Sequence, residues 1–91
     1  MEISQLLFVN GHLSPNRGAA AQNNLGLMYA LGDGVAADYM PAYMWLKIAA
    51  SAGNKLAIKN IDAIAKRMPP TDIFTAQKLA RECIRKAYKG C

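Results

Sequence analysis

The stretch from Ala19 to Gly53, AAAQNNLGLMYALGDGVAADYMPAYMWLKIAASAG, constrains the fold more than any other part of the chain, because it reads as two amphipathic helices joined by a glycine-punctuated turn. Ala21, Leu25, Met28 and Tyr29 fall at i, i+4, i+7 and i+8, one stripe of an α-helix. Gly32 and Gly34, either side of Asp33, supply the left-handed conformations that a tight reversal needs. Asp38 is placed to cap a second helix over Tyr39 to Ala52, and Pro41 sits in its first turn, where its missing N–H loses no intrahelical partner. The inward stripe of that helix is Ala42, Trp45, Leu46 and Ala49. A helix pair of this kind cannot bury its apolar face alone and must stack on neighbours.

The remaining punctuation completes an all-α pattern. Ser14-Pro15 offers an N-cap and a first-turn proline, so the first helix begins between Pro15 and Ala19 and runs to about Leu31. Gly53 and Asn54 supply a C′ glycine and a fresh N-cap in consecutive positions. A third helix over Lys55 to Arg67 carries Ala57, Ile61, Ile64, Ala65 and Met68 on one face, and Pro69-Pro70 stops it. Pro70 opens the last helix, Asp72 favours the positive end of its dipole, and the periodicity carries it to about Tyr88. Its inward face is Ala76, Leu79, Ala80, Cys83 and Ala87, with Lys78, Arg81, Glu82, Arg85, Lys86 and Lys89 opposite. An offset of 36 residues lays Ala57 on Ala21, Ile61 on Leu25 and Ala65 on Tyr29, which marks the third helix as a degenerate copy of the first. The same offset maps Leu6, Val9 and Leu13 onto Ala42, Trp45 and Ala49, yet Gly11 interrupts that segment.

These residues resemble the Sel1-like repeats, relatives of the tetratricopeptide repeats. The resemblance rests on Ala21-Gln22, Leu25-Gly26, Tyr29, the turn Gly32-Asp33-Gly34-Val35, Asp38, Ala42, Trp45, Ala49-Ala50 and Gly53, in that order and at the family's spacing. It implies a short right-handed α/α superhelix of antiparallel helix pairs. Residues 1–14 would be an irregular N-terminal cap, 15–53 a complete repeat, 54–68 a degenerate second-repeat helix and 69–89 a capping helix. The motif residues then have structural tasks. Gly26 admits the second helix, Trp45 fills the space between helices, Tyr29 packs inside the pair and Val35 plugs the turn onto the core.

The resemblance also implies a function: a noncatalytic interaction module, in bacteria associated with signalling, the envelope or host contact. In related folds the first helix of each pair lines the concave side, which places Asn23, Leu27 and Ala30 outward on that face, joined at the repeat offset by Lys59, Ala63 and Lys66. Such a groove suits an acidic or amphipathic peptide segment. The alternative is a structural fragment that self-associates, for instance as a homodimer, or completes a longer array.

Charge and chemistry narrow the classes further. Of eleven Lys and Arg, nine lie between Lys55 and Lys89, against Asp62, Asp72 and Glu82 in the same region. That bias favours anionic partners, but without interleaved aromatics it makes no stacking platform for nucleic acid. His12 is the single histidine, and neither a nucleophile elbow nor a phosphate loop is present. Some cysteine-rich relatives are linked to penicillin binding, but Ser4, Ser14 and Ser51 are followed three positions on by Leu7, Arg17 and Asn54, never by the lysine of Ser-x-x-Lys. No enzyme activity, catalytic residue, small-molecule substrate, cofactor or metal is therefore expected. No apolar run spans a bilayer, and Ile3 to Val9 lacks the basic leader of an export signal, which leans towards the cytoplasm. Cys83 is expected as a small core residue and Cys91 as a terminal thiol. On one continuous helix their eight-residue separation would be about 12 Å, so a bridge requires the chain to turn back after Gly90.

Overall fold

The computed structural model of the chain describes residues 18–91. Cap and breaker residues divide them into four helices, α1 (Ala19–Leu31), α2 (Tyr39–Ser51), α3 (Lys55–Ala65) and α4 (Pro70–Arg85), and no strand occurs among the described residues. The segment 1–14 expected as a cap, including His12, and the Ser14-Pro15 start lie outside them; α1 begins at Ala19 with Gly18 as its N-cap.

The boundaries follow from local chemistry. Gly32 takes the left-handed conformation (φ 71°) and turns its N–H back to the Met28 carbonyl. The Asp38 N–H then bonds the Tyr29 carbonyl at 3.0 Å, tying the start of α2 to the end of α1. The Asp38 carboxylate accepts from the Met40 N–H at 3.0 Å, the expected cap. Gly53 (φ 97°) closes α2, and Asn54 caps α3 by accepting from the Ala57 N–H at 2.9 Å. α4 opens on Pro70, with Asp72 in its first turn.

Helix α2 is the hub on which each of the other three packs. Ala42, Tyr43, Met44, Trp45, Leu46, Ile48 and Ala49 are all buried, so it is covered nearly all round and Lys47 alone breaks the run to solvent. The expected inward stripe of Ala42, Trp45, Leu46 and Ala49 is therefore only part of what is buried. On one side Tyr43, Leu46 and Ala49 meet Ala57, Ile64 and Met68 and, from α4, Ala76. On the other, Met44, Trp45 and Ile48 meet Leu25 of α1 with Ala80 and Cys83 of α4. The Tyr43 hydroxyl accepts from the Gln77 side-chain amide at 3.1 Å, adding a polar tie between α2 and α4.

Gly26 sets the spacing of the first pair. A Cβ there would stand 2.8 Å from Leu46 Cγ, closer than real Cβ atoms come, and a tight 3.0 Å from the Ala42 carbonyl oxygen. Trp45, 3% exposed, fills the adjoining interior, and Tyr29 packs half-buried against the same cluster. Val35 is half-buried and belongs to neither core cluster, so it caps the turn without reaching the core.

Several expectations at the C-terminal end are corrected. α4 stops at Arg85 rather than Tyr88, because Ala87 (φ 55°) and Tyr88 (φ 68°) turn left-handed and reverse the chain. That reversal brings the Cα atoms of Cys83 and Cys91 to 5.8 Å, and the two residues form a disulfide. The turn comes before Gly90, not after it, and Cys91 is no free thiol. By the chain-entropy model, closing so short a loop contributes roughly 2–3 kcal/mol. Ala87 is exposed as a result, and Leu79 lies at the edge of the packed face, 42% exposed, rather than within it.

Replacing a helical glycine by alanine normally stabilises a helix by about 1 kcal/mol. At Gly26 the clash with Leu46 and the Ala42 backbone outweighs that gain, so Gly26→Ala is expected to destabilise the protein by about 1–2 kcal/mol in chemical denaturation. A rise in stability would show that the α1–α2 contact is looser than described.

Candidate interaction surface

The six residues expected to form a concave groove do not share one environment. Asn23 is 4% exposed and its Oδ1 accepts from the Asn60 side-chain amide at 3.1 Å, so it joins α1 to α3 instead of facing a partner. α3 covers the side of α1 that a two-helix reading leaves open. Leu27 and Ala30 are half-buried and pack against the core cluster that α2 and α3 share. Ala30 also lines a cleft of about 210 Å³ with Ala37, Asp38 and Tyr39 at the α1–α2 turn. Lys59, Ala63 and Lys66 are exposed, as expected.

Large apolar side chains are left exposed on both helices of the expected groove, Leu31 on α1 with Leu56 and Ile58 on α3. Leu56 is 63% exposed and Leu31 is 76% exposed. Leu56, Lys59 and Ala63 stand at i, i+3 and i+7, so they share one side of α3, roughly 120° around the helix from the buried Ala57 and Ile64. Lys66 continues that side by one turn. The signal for Leu56 was present in this spacing: an apolar residue in phase with lysines and out of phase with the core stripe. On α1, Leu31 follows Leu27 by one turn and stands clear of the core at the helix end.

On α3 the arrangement is an exposed leucine and a small residue in line with two cations. It can desolvate a partner's apolar side chains and neutralise nearby carboxylates. Among the described residues, no group of three or more His, Cys, Asp or Glu stands together to hold a metal ion, and no helix there is long and apolar enough to cross a membrane. Gln22, second residue of the Ala-Gln pair, is buried, and its Oε1 has no hydrogen-bond partner among the described residues. No protein-family model matches the chain, and no curated protein matches it.

On α4 the outward face carries Lys78, Arg81 and Arg85. Arg85 donates to a Glu82 carboxylate oxygen at 2.7 Å. This hydrogen bond, with the guanidinium charge, holds the Glu82 carboxyl below its ordinary value, and Lys86 and Lys78 add to the effect. The pair is exposed, so solvent screens it. A depressed carboxyl contributes stability above its unfolded-state pKa, and the contribution fades as pH falls through the folded-state value. Arg85→Gln is expected to raise the Glu82 titration midpoint towards the ordinary carboxylate range, read by NMR of the side-chain carboxyl; an unmoved midpoint would show that the pair does not persist in solution.

Proposed function

We propose that this chain is a noncatalytic protein-interaction module of the Sel1-like repeat type, and that it holds an acidic, amphipathic peptide segment against the exposed side of α3. The observation that carries this reading is the row of Leu56, Lys59, Ala63 and Lys66, in which a solvent-exposed leucine and a small residue alternate with two lysines along one helix face. Leaving a large apolar side chain in water gains nothing for folding, whereas a partner that covers it recovers its transfer free energy.

The repeat assignment draws support from where the motif residues stand. Asp38 caps, Gly26 lies at the closest approach of α1 and α2, and Trp45, Ala42 and Ala49 are buried between helices. The internal offset has a structural counterpart as well. Ala57 is buried like Ala21, and Ala65 is half-buried like Tyr29, while Ile61 is half-buried where Leu25 is buried. A lighter interface of this kind is what a degenerate second copy in a short right-handed superhelix would have.

A second reading, self-association or completion of a longer array, draws on Leu31, which projects from the end of α1. Sedimentation across a concentration range separates the two: a persistent monomer removes the assembly reading.

The interaction reading is tested by titrating the chain with a synthetic acidic amphipathic peptide. Binding should weaken with rising salt and fall about tenfold, close to 1.4 kcal/mol, in the double variant Lys59→Glu, Lys66→Glu. Equal affinity in the charge-reversed protein would rule out this face. Leu56→Asp should weaken binding without lowering thermal stability, because the side chain it replaces is in solvent.

A further inference from the structure

The segment after α4 is held in a conformation that its own sequence does not favour. Ala87 and Tyr88 both have positive φ, where an L side chain crowds its own backbone, and neither is glycine. Arg85, Lys86, Ala87 and Lys89 are good helix formers, and the apolar period of α4 runs on to Ala87. The reversal is held by the Cys83–Cys91 disulfide, by the Tyr88 N–H donating to the Cys83 carbonyl at 2.8 Å and the Lys89 N–H to the Lys86 carbonyl at 3.2 Å, and by the half-buried Tyr88 ring packed on the cluster of Leu25, Met44, Trp45, Ile48, Ala80 and Cys83. Only the first is covalent.

We propose that thiol–disulfide exchange at Cys83–Cys91 switches this segment between the folded-back latch and a further turn of α4. In the oxidised state Tyr88 covers the cluster around Trp45. In the reduced state the two left-handed residues relax to helical φ, Ala87 takes the inward position, and Tyr88 moves one helical step, about 100°, out of line with Ala87. The two cysteines are then too far apart to pair until the turn folds back.

The chemistry is asymmetric. Cys91 is exposed and Cys83 is buried, so the thiolate of an incoming dithiol reaches the Cys91 sulfur. The new bond joins the reductant's sulfur to Cys91 while the Cys83–Cys91 bond breaks. The electron pair leaves on the Cys83 sulfur, which takes up a proton. The second thiol of the reductant then attacks its own sulfur in the mixed disulfide, and Cys91 departs and is protonated. Two electrons and two protons pass to the protein, and the dithiol becomes its cyclic disulfide. A thiolate left among Trp45 and Ala80 is poorly solvated, which couples breaking the bond to lifting the tail. Oxidising and reducing compartments would thus present different C-terminal surfaces of the same chain.

The switch is tested on the full chain with a dithiol reductant and with Cys91→Ala, which opens the bridge and leaves the core cysteine in place. Trp45 is the single tryptophan and reports on the cluster beneath Tyr88. Reduction should release two thiols, shift Trp45 emission to longer wavelength, raise its quenching by acrylamide several-fold, and move the Cα chemical shifts of Ala87 and Tyr88 to helical values. Cys91→Ala should match the reduced protein without reductant, and reoxidation should restore the starting spectrum. Free thiols before reduction, unchanged Trp45 emission and Cα shifts after it, or loss of the Lys55–Ala65 helix signals on reduction would each overturn the proposal.

Discussion

A helix with one polar side chain in its middle, surrounded on every other side, organises this protein. Lys47 is the lone exposed residue between Ala42 and Ala49 in α2, and such a helix is stable only when several neighbours remove its surface from water. α1, α3 and α4 do this from different directions. The closest of these contacts is made where Gly26 lets the α1 backbone approach Leu46 and Ala42, with the large Trp45 filling the next layer. Small residues such as Ala42, Ala49, Ala57, Ala76 and Ala80, all fully or almost fully buried, keep the remaining helices near. Close approach of alanine-rich helices around a few large side chains is how a chain of this length obtains a core.

That central burial leaves the outer faces of α3 and α4 in solvent. Cations concentrate there, where long charged side chains meet no packing demand. Exposed apolar side chains interrupt both faces, Leu56 and Ile58 on α3 and Phe74, Leu79 and Ile84 on α4, and the proposed contact is placed where Leu56 stands in line with two lysines. The disulfide lies at the other end of the core, where the tail folds over the cluster that contains Trp45. The proposed binding face and the proposed latch occupy different helices, so each can be altered without the other.

Legibility differed from element to element for reasons that can be named. The glycine at 32, Asp38, Gly53-Asn54 and Pro69-Pro70 act within a few positions, through backbone conformation or a capping side chain, so the end of α1, both ends of α2 and the starts of α3 and α4 could be read within a residue or two. The end of α4 could not. Its periodicity continues to Ala87, whereas the contacts that accompany the chain's departure from the helix at Arg85, the Cys83–Cys91 disulfide and the Tyr88 ring on the Trp45 cluster, depend on the tertiary structure. On the candidate surface, Lys59, Ala63 and Lys66 were legible because they oppose a clear apolar stripe. Asn23 was not: its side of α1 looks open in a helix pair, and α3 closes it through Asn60.

By itself the amino-acid sequence determined that the chain would be helical, where most of its helices would start and stop, and which small residues would stand at close contacts, since capping, proline and periodicity act within a few positions. Tertiary structure alone decided that Tyr43, Met44 and Ile48 would be buried along with the expected stripe, that Asn23 would be shared between helices, and that Cys83 would meet Cys91. Each of those outcomes depends on a neighbour brought from elsewhere in the chain, and a one-dimensional period carries no record of which neighbours arrive on which side.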